Sequence, residues 1–494
     1  MDLRVGNVWT VVSGETWEVS ALRAYLTVDD DHESFLDETG EDSRFLTGLL
    51  PRVIDGFQAE TTRILDERTY RWDPDIQQLR ADLLDAPYIA RDYQMAAARK
   101  LLHHGCGIAE LPTGAGKTII LALMLKHLSA RRRGYITILV DRLFLVQQML
   151  DDLRKTGAVP EAELGALMSK PKRRDLNHRV LVATAHSMYA GLKRGDMEIY
   201  RRLQATDVAF VDECHHLSSA QMGRVMAACG ARERFGLTAT MSEEPGVHGW
   251  DELTMEALTG PLRVQVPGHV LRNQGWLAST SLVLVPVQGR IQGFQWAKAY
   301  NRGIVEHKGR NSLIISILVA LWHAQRKSLT FVTRKEHGRR LLRSCHALGM
   351  HPLFVTGGGT VMWVGPSGEL AEATWSLAEI ASYVERKPRA AVIATQVLDE
   401  GVDVPTFNAA VMAGGHKKMR RILQRVGRCM RPAGGETLIF DFVDRHHPFL
   451  HSHSKRRLGV YRDERFPALP HKEVEQRLGV PFRPSQALPY AEDW

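Results

Sequence analysis

The chain is poor in cysteine: five in 494 residues, at 106, 214, 229, 345 and 429, with no CxxC pair among them. This argues against a disulfide framework or a zinc ribbon and for a reducing, cytoplasmic setting. No stretch reaches the ~18 uninterrupted apolar residues of a membrane span, so no membrane partner is expected. The first residues, Met1-Asp-Leu-Arg-Val, lack a basic segment followed by an apolar one and are not expected to act as a secretion signal. Low-complexity tracts and solenoid periods are also missing. Lysine is absent from the first 85 residues.

That last absence marks a division. Eight arginines against nineteen aspartates and glutamates give residues 1–85 a formal charge of −11, so the rest carries +19 in a chain whose net is +8. A basic body suits a polyanionic partner, and the acidic module is not expected to bind one through charge. At 44% hydrophobic and 24% charged, the chain is ordinary for a globular protein. Its length suits about three domains at the ~150-residue prior.

In the first module, Val5, Val8, Trp9, Val11 and Val12 form a strand-like cluster, residues 45–54 start a second apolar segment, and 71–75 read as a turn at Pro74. From about residue 88, apolar β-rich runs alternate with helical stretches: 107–111, 136–140, 180–184, 208–212 and 235–238. After the Gly/Pro punctuation at 260–268 a second series follows: 328–333, 352–356, 390–395, 408–413 and 437–442. Such alternation implies parallel sheets covered on both faces.

Between the first run and its helix lies Leu111–Thr118, LPTGAGKT. A strand, a glycine loop and a helix N-terminus make an anion site, with loop N–H groups aimed at phosphate. Lys117 can reach the β/γ-phosphates and Thr118 can hold Mg²⁺. The strict pattern wants glycine where Leu111 stands. Asp212 and Glu213 end the fourth run, where one carboxylate suits the Mg²⁺ hydration shell and the other can accept a proton from attacking water.

These pieces occur within a longer ordered set that resembles the superfamily 2 helicases over residues 91–431. Arg91-Asp-Tyr-Gln94 resembles the adenine-recognition motif, LPTGAGKT motif I, Asp141–Gln148 motif Ia, Ala183–Ser187 motif Ib and Asp212-Glu-Cys-His215 a DExH motif II. Leu237-Thr-Ala-Thr240 resembles motif III, residues 394–405 motif V and 424–431 motif VI. The resemblance implies an α/β fold: two tandem RecA-like parallel-sheet lobes (86–268 and 269–460), a small N-terminal α/β accessory domain (1–85) and a C-terminal tail (461–494).

It also implies roles. Lys117, Asp212, Glu213, Arg428 and Arg431 would be catalytic, the two arginines as fingers toward the γ-phosphoryl. ATP would be held by Arg91, Gln94, Thr113, Gly114, Ala115, Gly116, Lys117, Thr118, Gly401 and Asp403, and Mg²⁺ by Thr118 and Asp212. Coupling would fall to His215, Thr238, Thr240 and Gln424. Nucleic-acid contacts would come from Arg142, Thr184, Arg334, Thr356 and Thr395. Residues 45–54, 301–311 and 440–444, with Arg456 and Tyr461 downstream, resemble the UvsW/XPB-like group. Met241 departs from the family, standing where a proline often follows LTAT.

The leading expectation is an ATP-dependent DNA helicase or double-stranded DNA translocase acting on branched DNA, 3′→5′ by resemblance, in a nucleoid or a phage-infected cell. An RNA helicase is the alternative within the motif set. An ATP-gated nucleic-acid clamp or defence-complex module is the alternative from another class. No nuclease motif or methyltransferase loop accompanies the motifs. The histidines at 103–104, 215–216, 446–447, 451 and 453 lack cysteine partners or an HExxH pattern and are read as polar-cluster residues. Gly357–Gly359 is read as a turn, and Trp363 and Trp375 as packing residues rather than a base-stacking wedge.

Overall fold

The computed structural model describes the chain except for residues 28–33, 40–41, 57–61, 67–73, 132–133, 169–175, 242–248, 293–294, 396–406, 416–426, 428–434 and 482–494. It divides into two compact units, Met1–Leu111 with Gly116–Val266, and Pro112–Ala115 with Pro267–Trp494.

The first unit opens with a small sheet: β1 (Asp2–Val5), β2 (Trp9–Ser13), β3 (Ser43–Leu46) and β4 (Arg63–Asp66), ordered β3-β2-β1-β4. Helix α1 (Thr16–Tyr25) and the short α2 (Leu50–Gly56) complete this module. Alternate residues of β1 turn inward, so Leu3 and Val5 are buried while Asp2 and Arg4 face solvent.

The larger sheet of this unit follows α3 (Asp92–His104). Its strands are β5 (Cys106–Glu110), β6 (Tyr135–Val140), β7 (Leu164–Leu167), β8 (Val180–Thr184), β9 (Thr206–Asp212), β10 (Glu233–Thr238) and β11 (Leu262–Gln265). They lie in the order β11-β5-β10-β9-β6-β8-β7, every pairing parallel. Crossover helices α4 (Lys117–Arg131), α5 (Leu143–Lys155), α6 (Ala185–Lys193), α7 (Met197–Gln204), α8 (Ala220–Ala227) and α9 (Trp250–Thr259) connect them. β8 and β10 are buried throughout, as strands covered on both faces must be. Gly105, at φ +67°, ends α3 in the left-handed cap that glycine adopts without penalty.

The acidic module is built onto this lobe. Its apolar cluster, with Leu3, Val5, Phe45 and Leu49, includes Leu253 and Ala257 of α9. The Phe35 and Trp250 rings stack at 4.3 Å, and Arg52 pairs with Glu256 at 3.0 Å. Gly48 sits where the two backbones meet.

The second unit carries β12 (Thr280–Val287), β13 (Lys327–Phe331), β14 (Leu353–Thr356), β15 (Thr360–Val364), β16 (Leu370–Thr374), β17 (Ala390–Ala394), β18 (Ala409–Val411) and β19 (Thr437–Asp444). Their order is β12-β19-β18-β13-β17-β14-β15-β16, parallel up to β14 and antiparallel for the last two pairings. β12, β15 and β16 lie outside the strands expected from sequence. β12 has no polar alternation because all eight of its residues are buried. β15 and β16 are separated by Gly365-Pro-Ser-Gly368, which reads as a loop until its two arms pair. Gly357–Gly359 is the short turn between β14 and β15, and the Trp363 and Trp375 rings lie 6.2 Å apart.

The expected boundary between lobe and tail, 460/461, falls within a helix, Pro448–Asp463, and a second follows at His471–Leu478. Leu469, Val474 and Leu478 are buried in the core of the second lobe. Arg457 is 1% exposed and pairs with Asp441 at 2.8 Å. Burial disfavours its charge, but Asp441 and Asp444 outweigh that and hold the guanidinium protonated more firmly than usual. Tyr461 also donates to Asp441, at 2.8 Å, whereas Arg456 is exposed.

A Cβ added at Gly48 would stand 2.1 Å from the Glu256 carbonyl oxygen and 2.5 Å from that of Ala257, neither of which can rotate away. Gly48→Ala is therefore expected to lower stability by ~1–3 kcal/mol, as overpacking does. Urea unfolding of the purified variant measures this, and an unchanged midpoint would mean that the module is not seated on α9 as described.

Candidate nucleotide-binding site

The LPTGAGKT loop leaves the C-terminal end of β5 and enters helix at Lys117. Gly114 and Gly116 have φ of +86° and +77°, a region open to glycine. A Cβ on Gly116 would come within 2.5 Å of Gln94 Nε2, so the Gln94 side chain lies against the loop. Gln94 is 3% exposed, and its Oε1 accepts from the Arg91 N–H at 2.9 Å. Arg91 Nη1 donates to the Tyr93 hydroxyl at 3.1 Å. The expected base-reading pair thus sits beside motif I, with the glutamine carbonyl committed to the start of α3.

β9 delivers the two carboxylates. Asp212 is its last residue, and Glu213 follows at φ 49°, ψ 53°. A non-glycine residue in this left-handed region costs ~1–3 kcal/mol and persists only where its surroundings hold it. Here the turn brings Glu213 Oε1 to 3.4 Å from Lys117 Nζ. Glu213 N–H donates to Asp212 Oδ1 at 3.1 Å. His215 Nδ1 lies 3.3 Å from Glu213 Oε2 and 3.2 Å from Thr238 Oγ1. The Thr238 hydroxyl donates to the Thr240 carbonyl at 3.1 Å and accepts from the Thr240 N–H at 3.3 Å. A polar line therefore runs from Lys117 through Glu213 and His215 to Thr238 and Thr240.

Burial raises the Asp212 pKa to about 6, the neighbouring Glu213 carboxylate adds to the rise, and Lys117 opposes it. Two carboxylates with one ammonium leave a deficit of positive charge. That deficit fits a divalent cation, which Thr118 and Asp212 would hold, and the Lys117 ammonium facing an anion fits a nucleotide phosphate.

Sequence reasoning missed two contributors. The Glu110 carboxylate at the end of β5 accepts from the Met241 N–H at 2.9 Å and from Gln265 Nε2 at 2.8 Å. Asp141 lies 3.8 Å from His216 Nε2 and 3.3 Å from Arg142 Nε. No spacing in the sequence signals the Glu110 bonds or the approach of His216 to Asp141, because these partners are far apart along the chain.

The expected nucleic-acid contacts divide. Arg142 and Arg334 are exposed at the starts of α5 and of the helix Lys335–His346. The Thr184 and Thr356 side chains are both buried. The Thr184 hydroxyl accepts from the Ser187 N–H at 3.1 Å and donates to the Ser187 hydroxyl at 2.7 Å, capping α6. Thr356 ends β14, wholly buried. Thr395 is also buried, and its N–H donates to the Val355 carbonyl at 3.1 Å. Gly401, Asp403, Gln424, Arg428 and Arg431 lie outside the described residues.

The histidines away from the site are held individually. His446 Nε2 lies 3.0 Å from the Gly303 carbonyl, and His447 Nδ1 accepts from the Phe449 N–H at 3.2 Å.

Residues 88–243 match the family described as "Type III restriction enzyme, res subunit", and residues 311–433 match "Helicase conserved C-terminal domain". The chain is 30% identical over 211 residues to the DNA 3'-5' helicase XPB of Kineococcus radiotolerans, covering 42% of this chain and 35% of the relative. It is 26% identical over 438 residues to the putative DNA 3'-5' helicase Rad25 of Haloarcula marismortui, covering 87% of this chain and 63% of that one. The chain thus spans between about a third and two thirds of the length of these relatives. Among solved structures, S. cerevisiae Dbp5 aligns with a TM-score of 0.53 at 16% identity, covering 83% of this chain and 97% of that one, a likeness of fold.

The Asp212 pKa generates a prediction for the protein without metal or nucleotide. A carboxyl whose folded pKa lies above its unfolded value favours folding while protonated, and this contribution is lost as pH rises through the folded pKa. The penalty for the charged form begins above the unfolded pKa of ~3.9 and is complete above about 6. Asp212→Asn is therefore expected to raise the thermal midpoint at pH 8, with a smaller gain at pH 5. Scanning calorimetry in chelator at both pH values checks the sign.

Proposed function

We propose that this chain, which belongs to the superfamily 2 helicases and counts XPB and Rad25 among its relatives, hydrolyses ATP to move along or separate DNA. The observation that carries the reading is the Lys117–Glu213–His215–Thr238 line. It gathers a phosphate-binding ammonium, a candidate general base and a polar link to the end of a neighbouring strand. Glu213 is placed to take a proton from water, and His215, with Thr238 at its Nδ1, to hold that carboxylate in orientation. Lys117 orients the phosphates. Thr118 and Asp212 would hold Mg²⁺, which supplies charge neutralisation on the phosphate oxygens when bound. Arg428 and Arg431 enter the proposal on sequence alone, as do Gly401, Asp403 and Gln424.

DNA is the proposed substrate because the similar proteins are named as DNA 3'-5' helicases. The 3′→5′ direction rests on the same names. The charge distribution agrees with a nucleic acid, since the +19 outside the acidic module must meet a polyanion or be solvated. No helix among the described residues is long and apolar enough to cross a membrane.

The deciding experiment is ATPase activity with single-stranded, duplex and forked DNA and with RNA. Stimulation by forked or duplex DNA is the expected result, and stimulation by RNA alone would overturn the substrate. Strand displacement, measured alongside, separates a motor from a clamp that hydrolyses without moving.

Within that assay, Lys117→Ala is expected to abolish turnover in a folded protein. Glu213→Gln should keep Mg·ATP binding while turnover falls ~10²–10⁴-fold, the usual contribution of a general base. Equal loss of binding and turnover in the glutamine variant would assign Glu213 a structural role. Nonspecific DNA affinity should fall steeply with salt, as phosphate neutralisation requires. A salt-independent affinity in filter binding would contradict the charge argument.

A further inference from the structure

We propose that Glu110 is a positioning residue for the hydrolytic site, its carboxylate clamping the Met241 backbone to the P-loop strand and so holding Thr238 within reach of His215. The inference rests on the ATPase reading and concerns how that site is kept in register. Glu110 is the last residue of β5, directly before the glycine loop. In the sheet it is the register partner of Thr238 on one side and of Gln265 on the other. Its backbone already joins both neighbours: the Val266 N–H donates to the Glu110 carbonyl at 3.0 Å, and the next residue, Leu111, donates to the Thr238 carbonyl at 2.9 Å.

Beyond Thr238 the strand pairing stops. Three residues later, Glu110 Oε1 takes the Met241 N–H at 2.9 Å, while Oε2 takes Gln265 Nε2 at 2.8 Å. Between the last strand residue and this anchor lies a short span, Ala239 and Thr240, whose shape is set by the Thr238 hydroxyl: it donates to the Thr240 carbonyl and accepts from the Thr240 N–H. The same hydroxyl lies 3.2 Å from His215 Nδ1, and that nitrogen lies 3.3 Å from Glu213. The Met241 side chain is packed in the core of the lobe, so the carboxylate adds to that anchor the one thing packing does not supply, a fixed backbone N–H at the far end of the turn that sets the Thr238 rotamer. The carboxylate therefore acts on the candidate base through Thr238 and His215, without touching nucleotide itself.

The clamp needs a backbone N–H at position 241. Proline has none, so Met241→Pro removes the donor while Glu110→Ala removes the acceptor. Glu110→Gln keeps an acceptor oxygen for Met241. The experiment compares these three variants and the double variant Glu110→Ala/Met241→Pro with the parent chain, reading kcat and KM for ATP with saturating DNA, and thermal midpoints.

Glu110→Ala is expected to lower kcat about tenfold with KM within about twofold, the pattern of a lost transition-state arrangement rather than lost binding. Glu110→Gln should recover most of that loss. The double variant should be no slower than the slower single one, since both substitutions break one contact. Parent-like kcat in Glu110→Ala, a KM rise that matches the kcat loss, or losses that multiply in the double variant would each overturn the proposal. A poorly folded Met241→Pro leaves the alanine and glutamine pair to decide it. If the parent chain proves to have no ATPase activity, the functional reading fails separately. The clamp is then judged from the midpoints of the Glu110 variants, because Met241→Pro also removes a side chain packed in the core: a lowering in Glu110→Ala that Glu110→Gln recovers supports it, and a parent-like midpoint in Glu110→Ala overturns it.

Discussion

The site depends on the register of three adjacent parallel strands. In β5, β10 and β9, Glu110 faces Thr238 and Leu237 faces Asp212, so the strands end nearly flush. Each then releases the loop that carries its part of the chemistry: the glycine loop from β5, the carboxylates from β9, the threonine turn from β10. A slip of one residue would exchange the two faces of a strand and move its loop by about 3.3 Å, further than any polar contact in the line tolerates. The register is held by burial on both faces. Phe210 and Phe235, wholly buried on β9 and β10, lie with ring centroids 5.3 Å apart and lock those two strands together.

What could be read in the sequence follows the same physics. A buried parallel strand is a continuous apolar run, and the residues just beyond such a run are where a doubly covered sheet presents its ligand-binding groups. Lys117, Asp212, Glu213, His215 and Thr238 were legible for that reason. The left-handed backbone at Glu213 was not, because nothing in its composition distinguishes it from an ordinary loop carboxylate. The helix cap formed by Thr184 was hidden for a related reason. A threonine after a strand can meet a ligand or cap the helix that follows, and only the position of the Ser187 N–H decides between them. Glu110 was read as part of an apolar strand end, and its partners lie more than a hundred residues away.

Charge was the least legible property in the second lobe. Lys455, Arg456 and Arg457 look like a basic surface run, yet the third of them is inside. Its guanidinium meets Asp441 through Nε, and its Nη2 donates to the Phe442 carbonyl. Arg310 is buried as well, donating to Asp444 at 2.8 Å and to the Ala413 carbonyl at 2.7 Å. Tyr300 adds a bond to the Gly414 carbonyl, also at 2.8 Å. Charges this deep are tolerable only when the partners are fixed, and removing one partner strands the other. The helix Lys308–His323, the end of β19 and the helix Pro448–Asp463 are thereby joined by groups that sequence periodicity would assign to solvent.

The β12–β19 pairing sets a timetable for the ribosome. β12 opens the second lobe, yet its neighbour in the sheet among the described strands is the last one made, and Thr437 follows Val287 by 150 residues. At ~5–20 residues per second, nascent β12 waits roughly ten to thirty seconds for its partner. During that interval Thr280–Val287, an eight-residue segment without a single charge, lacks the β19 backbone groups that it pairs with in the folded lobe. The sheet of the second lobe therefore closes on this edge only after residue 444 has left the ribosome.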